Sequence, residues 1–253
     1  MNRGLNFTLG LVAILVGISG CATKVVGLKK SPSFLYSNVQ NGKMAIGGVV
    51  SATEEVKPAQ VATYGNMLMN QIIEERSGIG VASTAMVKEK IGSKQYDALL
   101  NDYKNFGSLS KEQIKSLSRN LSGVRYVVFA RIDRNEVTND RAESAVTNSD
   151  GKEDPNKRKI TKYAGRAMSA TFQVADLVEQ DSAWSGSITK SSSNSKEYTK
   201  TEFGNSILGI VVAIANKGGG DEDTTYPYPT PPDEGQVLNY IFSGFAENLP
   251  KED

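Results

Sequence analysis

The sequence predicts a single α/β (α+β) domain, a mixed β-sheet packed by helices, placed after an export signal and a short tether. Three observations predict it. Short apolar runs such as Met44–Ser51 read as strands buried on both faces. Segments with apolar residues three and four apart, such as Val61, Tyr64, Leu68 and Ile72, read as helices with one inward stripe. The two kinds of segment alternate along the chain as strand, helix, strand, helices, three strands and helix, the pattern of a layered domain. The 253 residues are 39% hydrophobic and 23% charged, enough to bury one good-sized core.

The chain opens on Arg3, the only charge in its first 23 residues, followed by an apolar run of twelve, Phe7–Ile18. A positive start, a short apolar stretch and small residues after it make a secretory signal. Twelve residues span about 18 Å as a helix, against about 30 Å of bilayer hydrocarbon, so a permanent span is not expected. Ile18-Ser19-Gly20-Cys21 comes next and resembles the bacterial lipobox. That resemblance implies a diacylglycerol on the Cys21 thiol, cleavage after residue 20, and acylation of the new amine. Two or more acyl chains give a stable anchor, where one binds only marginally. Ala22 in the following position implies sorting to the outer membrane, facing the periplasm, in a Gram-negative host. Losing residues 1–20 takes Arg3 from the 29 basic side chains and leaves 28, matching the 28 acidic ones.

Residues 21–42 mix Lys, Ser, Pro, Asn and Gly without a sustained period and read as a tether. Met44–Ser51 is the first strand. Pro58 opens a helix at the position where Pro is best tolerated. Ile79–Ser83 is a short strand, and Ser83 or Thr84 caps a helix with Met86, Val87 and Ile91 inward. Tyr96, Leu99, Leu100 and Tyr103 form the next stripe. Ser110 followed three residues on by Gln113 has the capping-box form, and the helix it opens buries Ile114, Leu117 and Leu121. Val124–Ile132 is a strand. Residues 135–162 are polar throughout and read as a long loop or hairpin, part of a polar insertion near 135–165. Ala167–Val178 and Trp184–Thr189 pair as a hairpin. Residues 190–205, rich in Ser, Lys and Asn, read as a second polar insertion, loop or edge-like. Ile207–Ala215 is apolar but too short to span as a helix. Residues 217–234 are a Gly/Pro-rich linker containing Tyr226-Pro227-Tyr228-Pro229-Thr230-Pro231-Pro232, stiff and extended, either a connector or an element that docks in a groove. A final helix at about 235–248 buries Val237, Leu238, Ile241, Phe242 and Phe245. In all, the expected domains are a signal peptide at 1–20, the lipidated Cys and tether at 21–42, and a periplasmic domain at 43–253.

Composition excludes several chemistries. With no histidine, Ser-His-Asp and Cys-His nucleophile arrangements are out. One cysteine cannot build a Cys/His zinc site or an internal disulfide. A net charge of +1 argues against a general nucleic-acid binder. Ser187-x-x-Lys190 and Ser193-x-x-Lys196 match the serine-enzyme dipeptide spacing, but one falls in a strand pattern, the other in a polar stretch, and no Lys-Thr-Gly accompanies them. Ser149–Asp154 and Asp221-Glu222-Asp223 are acidic but lack an EF-hand ligand order. Glu54-Glu55 and Glu74-Glu75 could pair carboxylates only if the fold set them at a working separation. Gly218-Gly219-Gly220 follows no strand and reads as linker. Trp184 reads as core packing. No metal and no cofactor is implied, and Cys21 is the one functional residue, for lipidation.

The Met44–Val50 strand, the helix containing Asn66-Met67-Leu68-Met69-Asn70, the Val124–Ile132 strand and the Val174–Gly186 hairpin with Trp184-Ser185-Gly186 form a further pattern. It resembles the periplasmic domain shared by the penicillin-binding-protein activator lipoproteins and the curli-secretion (CsgG-like) lipoproteins. The resemblance covers about residues 43–190 and the last helix, and rests on order and hydrophobic pattern. From the first group it implies an outer-membrane lipoprotein that binds an envelope protein. From the second it implies a ring whose paired hairpins, here 135–165 and 190–215, line a pore. The expectation is an outer-membrane-anchored, non-enzymatic binding or assembly factor in cell-envelope biogenesis, with a protein partner and no nucleic acid. The alternatives are a subunit of a ring-forming CsgG-like secretion or pore complex, and a hydrolase using carboxylates or Ser/Lys.

Overall fold

The computed structural model describes residues 23–53, 58–201 and 222–252. In chain order the elements are β1 (Val25–Lys30), α1 (Tyr36–Asn41), β2 (Met44–Ser51), α2 (Pro58–Glu75), β3 (Val81–Ala82), α3 (Thr84–Ile91), α4 (Ser93–Phe106), α5 (Lys111–Asn120), β4 (Tyr126–Thr147), β5 (Glu153–Asp176), β6 (Asp181–Thr201), α6 (Glu222–Thr225) and α7 (Glu234–Glu247). The strands form one six-stranded sheet in the order β1-β6-β5-β4-β2-β3. β2 runs parallel to β3 and β4, and the other pairings are antiparallel, so the sheet is mixed as expected.

Helices cover both faces of the body, and the alternation of the strands sorts side chains between two cores. On one face Tyr126, Val128, Ala130 and Ile132 of β4 meet Leu68 and Ile72 of α2 and Phe242 and Phe245 of α7. Phe172 stacks on Phe245 at 4.5 Å between ring centres, and Trp184 meets the same ring edge-on at 5.1 Å. On the other face Val127 and Phe129 meet Val87, Leu99, Tyr103, Ile114 and Leu117 from α3, α4 and α5. The Phe129 ring lies across β2 at Gly47, where a Cβ would come within 2.2 Å of it. Local signals agree with these placements. Ser83 accepts a hydrogen bond from the Met86 N–H at the start of α3, and Ser110 and Gln113 close a reciprocal capping box on α5. Asp233 caps α7.

The structure corrects two expectations and decides between the alternatives of a third. Residues 25–30 and 36–41, read as tether, are strand β1 and helix α1. Phe34 and Val39 anchor this segment in the core, with Phe34 edge-on to Tyr126 at 5.2 Å. Two buried side chains are too few to show a period. The polar stretch from 135 to 165, read as loop or hairpin, is the hairpin: it is the outer half of β4 and β5, joined by a tight turn at Asn148–Lys152. The Asn148 side chain accepts from the N–H groups of Asp150 and Lys152, and Gly151 takes φ +76°, so Ser149–Lys152 serve the turn while Glu153 and Asp154 open β5. The other correction is one of length: β6 does not stop at Thr189 but continues through residues 190–201, the edge-like alternative for that stretch.

Candidate functional site

Beyond the Ser51–Ile132 rung β2 ends, and beyond the Val25–Ile188 rung β1 no longer pairs. Three strands carry on alone, with rungs running out to Thr147–Glu153 and Lys157–Thr201. At about 3.4 Å per residue, the Arg134–Thr147 half of β4 is a ribbon arm about 45 Å long. Its base is locked to α7. Asn135 Nδ2 donates to Glu234 Oε2 at 3.1 Å, Arg166 Nη1 donates to Asn135 Oδ1 at 2.6 Å, and Arg166 Nε donates to the Pro232 carbonyl at 2.8 Å.

Among the described residues no strand pairs with the outer edge of β4 or β6 along this ribbon, which leaves two rows of backbone N–H and C=O groups open to a partner. The two edges differ in charge. Residues 136–147 carry Glu136, Asp140, Glu143 and one base, Arg141, while residues 190–201 carry Lys190, Lys196, Lys200 and one acid, Glu197. Arg134 pairs with Glu136 at 2.5 Å and Arg141 pairs with Glu143, whereas Lys159 of β5 reaches Glu197 of β6 at 2.8 Å. The hydrogen bond from Arg134 holds the Glu136 carboxyl below its ordinary range. Thr138, Asn139, Asp140 and Glu143 are exposed, and no face of the described ribbon shows the continuous apolar alternation of a lipid-facing strand.

One face of the ribbon is covered by the chain itself. α6 and residues 226–232 run back along it as a strap. Lys162 of β5 is fully buried, paired with Asp223 of α6, and its ammonium lies 4.3 Å from the centre of the Tyr228 ring. A buried ammonium needs such partners, since desolvation alone would disfavour its charge. Tyr226 meets Tyr198 edge-on at 5.4 Å, Tyr198 donates to the Pro227 carbonyl, and Asn194 Nδ2 donates to the Thr230 carbonyl at 2.8 Å. The Tyr-Pro segment thus docks on its own ribbon. Its stiffness was visible in the sequence, while Lys162, 61 residues away from Asp223, carried no signal of burial.

The other marked residues do not converge. Ser187 and Lys190 are three apart on one strand, so they lie on opposite faces, as do Ser193 and Lys196. Ser187 instead shares a hydrogen bond with Thr171 at 2.6 Å, in a chain that continues to Asp133 and Arg131. Glu74 accepts from Gln71, and Glu75 accepts from Ser243 across to α7. Trp184 is core, as expected. Among the described residues no cluster of three metal-ligating side chains occurs. A cavity of about 550 Å³ opens between α2, α3 and α4, walled by Val50, Val61, Ala85, Tyr96 and Leu100, with Lys88 tied to Asp97 at 3.4 Å. Burial raises the Tyr96 hydroxyl far above its ordinary range, so it stays protonated at neutral pH. Cys21, Glu54-Glu55, Ile207–Ala215 and Gly218–Gly220 lie outside the described residues. No helix among the described residues is long and apolar enough to cross a membrane.

No protein-family model matches the chain, and no curated protein matches it. Solved structures similar to it include a PelC dodecamer from Paraburkholderia phytofirmans, at 12% identity and TM-score 0.38, covering 91% of this chain and 99% of that one. Lipoprotein GNA1162 from Neisseria meningitidis matches at 14% identity and TM-score 0.32, covering 70% of this chain and 96% of that one. The LpoB C-terminal domain from Salmonella enterica matches at 12% and 0.29, covering 59% and 82%. Likenesses this distant transfer neither mechanism nor partner.

Proposed function

We propose that this chain is an outer-membrane-anchored lipoprotein that acts on the periplasmic side as a non-enzymatic binding or assembly factor of the cell envelope. The anchor is a lipid on Cys21, at the end of an export signal. The observation that carries the binding role is the ribbon: an arm held at its base and strapped on one face, with two edges on which no strand of the described residues pairs. An open edge recruits a partner by adding a strand, with backbone hydrogen bonds supplying affinity. A non-enzymatic role is supported by the strand geometry that parts Ser187 from Lys190.

A second reading rests on the edge charges. The acidic β4 edge and the basic β6 edge would suit each other in neighbouring copies, a head-to-tail contact that closes into a ring. One measurement separates the two readings: the mass of the full-length lipidated protein in mild detergent, by mass photometry. A monomer or dimer supports the adaptor, and crosslinking from the β6 edge then identifies its partner. A uniform ring of many copies replaces it with the second reading. Cys21→Ser should abolish palmitate labelling, and a variant that still takes up palmitate sinks the anchor.

A further inference from the structure

The folded body begins almost at the anchor. Thr23 is seated on α7: its Oγ1 donates to Glu247 Oε2 at 3.2 Å, and a Cβ on Gly244 would come within 2.5 Å of its methyl group. Ala22 alone separates Thr23 from Cys21, so the Cα atoms of the two lie at most about 7 Å apart. A lipid on Cys21 therefore fixes the part of the surface around Thr23 at the bilayer, with no spacer to hold it away.

That surface has the chemistry of a membrane contact. Lys24, Lys29 and Lys30 are all exposed within ten residues of the anchor. Between them β1 presents Val26 and Leu28, 59% and 49% exposed, on an edge strand whose register slips at Gly27, where φ is +66°. Tyr240 lies one turn before Gly244 on the same face of α7 and is 51% exposed. Lysines are a common guard against strand addition at an edge, but a guard gains nothing from bare Val and Leu beside them. Basic side chains, small exposed apolar groups and a Tyr together suit anionic headgroups and the boundary beneath them.

We propose that the outer edge of β1, with the Tyr240 face of α7, lies against an anionic phospholipid surface, so that the domain is seated on the bilayer. This rests on the lipidation of Cys21, and the test separates the two. The lipidated Val26→Cys protein is reconstituted in vesicles of phosphatidylethanolamine and phosphatidylglycerol, after its intact mass has shown whether Cys21 is acylated. Acylation blocks the Cys21 thiol, so an environment-sensitive dye reacts at position 26 alone. Spin-labelled lipid should quench it several-fold more than the same dye on a Phe106→Cys control, whose site on α4 is 74% exposed and belongs to the helices of the other sheet face. Equal, weak quenching at both positions overturns the seated surface and leaves lipidation standing. If the mass shows no acyl chain, the anchor falls, and the chain from residue 22 onward decides the surface alone. It should co-sediment with the phosphatidylglycerol vesicles and not with phosphatidylcholine ones, and lose that binding on changing Lys24, Lys29 and Lys30 to Glu. No co-sedimentation overturns the proposal.

Discussion

Tyr126–Ile132 and Arg134–Thr147 are the two halves of one strand, paired throughout with the same partner, β5. In the body half every side chain but Arg131 is buried, and the strand has a neighbour on each side. In the ribbon half most side chains are exposed and, among the described residues, one edge has no strand beside it. The body half is held by packing, which is cooperative and worth the most. The ribbon half is held by backbone rungs, polar cross-strand pairs and a strap, each worth little alone. The same backbone thus serves a scaffold in one half and an accessible edge in the other.

The strongest way to break this comparison is to remove something from each half. Phe172→Ala deletes a ring stacked on Phe245 and edge-on to Phe242 at 6.1 Å. It should cost about 3–5 kcal/mol in a denaturant titration. Excising residues 140–163 and closing the Asn139–Ala164 rung with Asn-Gly removes far more chain. It should nevertheless leave the cooperative unfolding of the body in place, read by near-ultraviolet circular dichroism. A body that melts on losing the ribbon would show that the two halves are one unit.

The strap gives a sharper contrast. Lys162 is fully buried, whereas the side chain of Asp223 is 56% exposed. Removing the exposed partner strands a buried charge, while removing the buried one does not. Asp223→Ala should therefore cost about 1–3 kcal/mol and loosen residues 222–232 to proteolysis. Lys162→Met, which keeps the apolar stem and drops the charge, should cost less than Asp223→Ala. Equal effects would mean that the Tyr228 ring alone satisfies the ammonium.

What could be read in the sequence follows the same division. Val124–Ile132 announced itself because burial on both faces left it apolar at odd and even positions. The capping box on α5 was legible because its two hydrogen bonds lie within four residues. Ser110→Ala should cost about 1 kcal/mol, seen as a shift in the urea midpoint. The ribbon could be read as hairpin or loop but not as one of them, because strand periodicity reports a buried face, and Thr138, Asp140 and Ala142 have none. β1 hid for a related reason, since it buries little and leaves Val26 and Leu28 in the open. Cys21 was legible from its place after an apolar run, whereas Lys162 is defined by a strap that only the fold brings to it.

The smallest effect tests whether the ribbon edge behaves as a solvated surface. Arg134 donates to Glu136 near the ribbon base, and that hydrogen bond holds the Glu136 carboxyl below the ordinary carboxylate range. A carboxyl lowered in the folded state adds stability above its unfolded pKa and loses it as the pH falls through the folded one, so the contribution is present at pH 7 and gone in strong acid. Both side chains are about half exposed, which makes that contribution slight and sensitive to salt. Arg134→Gln should return Glu136 to the ordinary carboxylate range, followed by carbon-detected NMR titration of the side chain. High salt should move the wild-type group in the same direction. A Glu136 that titrates unchanged in the variant would mean that the pair does not persist in solution, and that the β4 edge presents its acids free to whatever pairs with it.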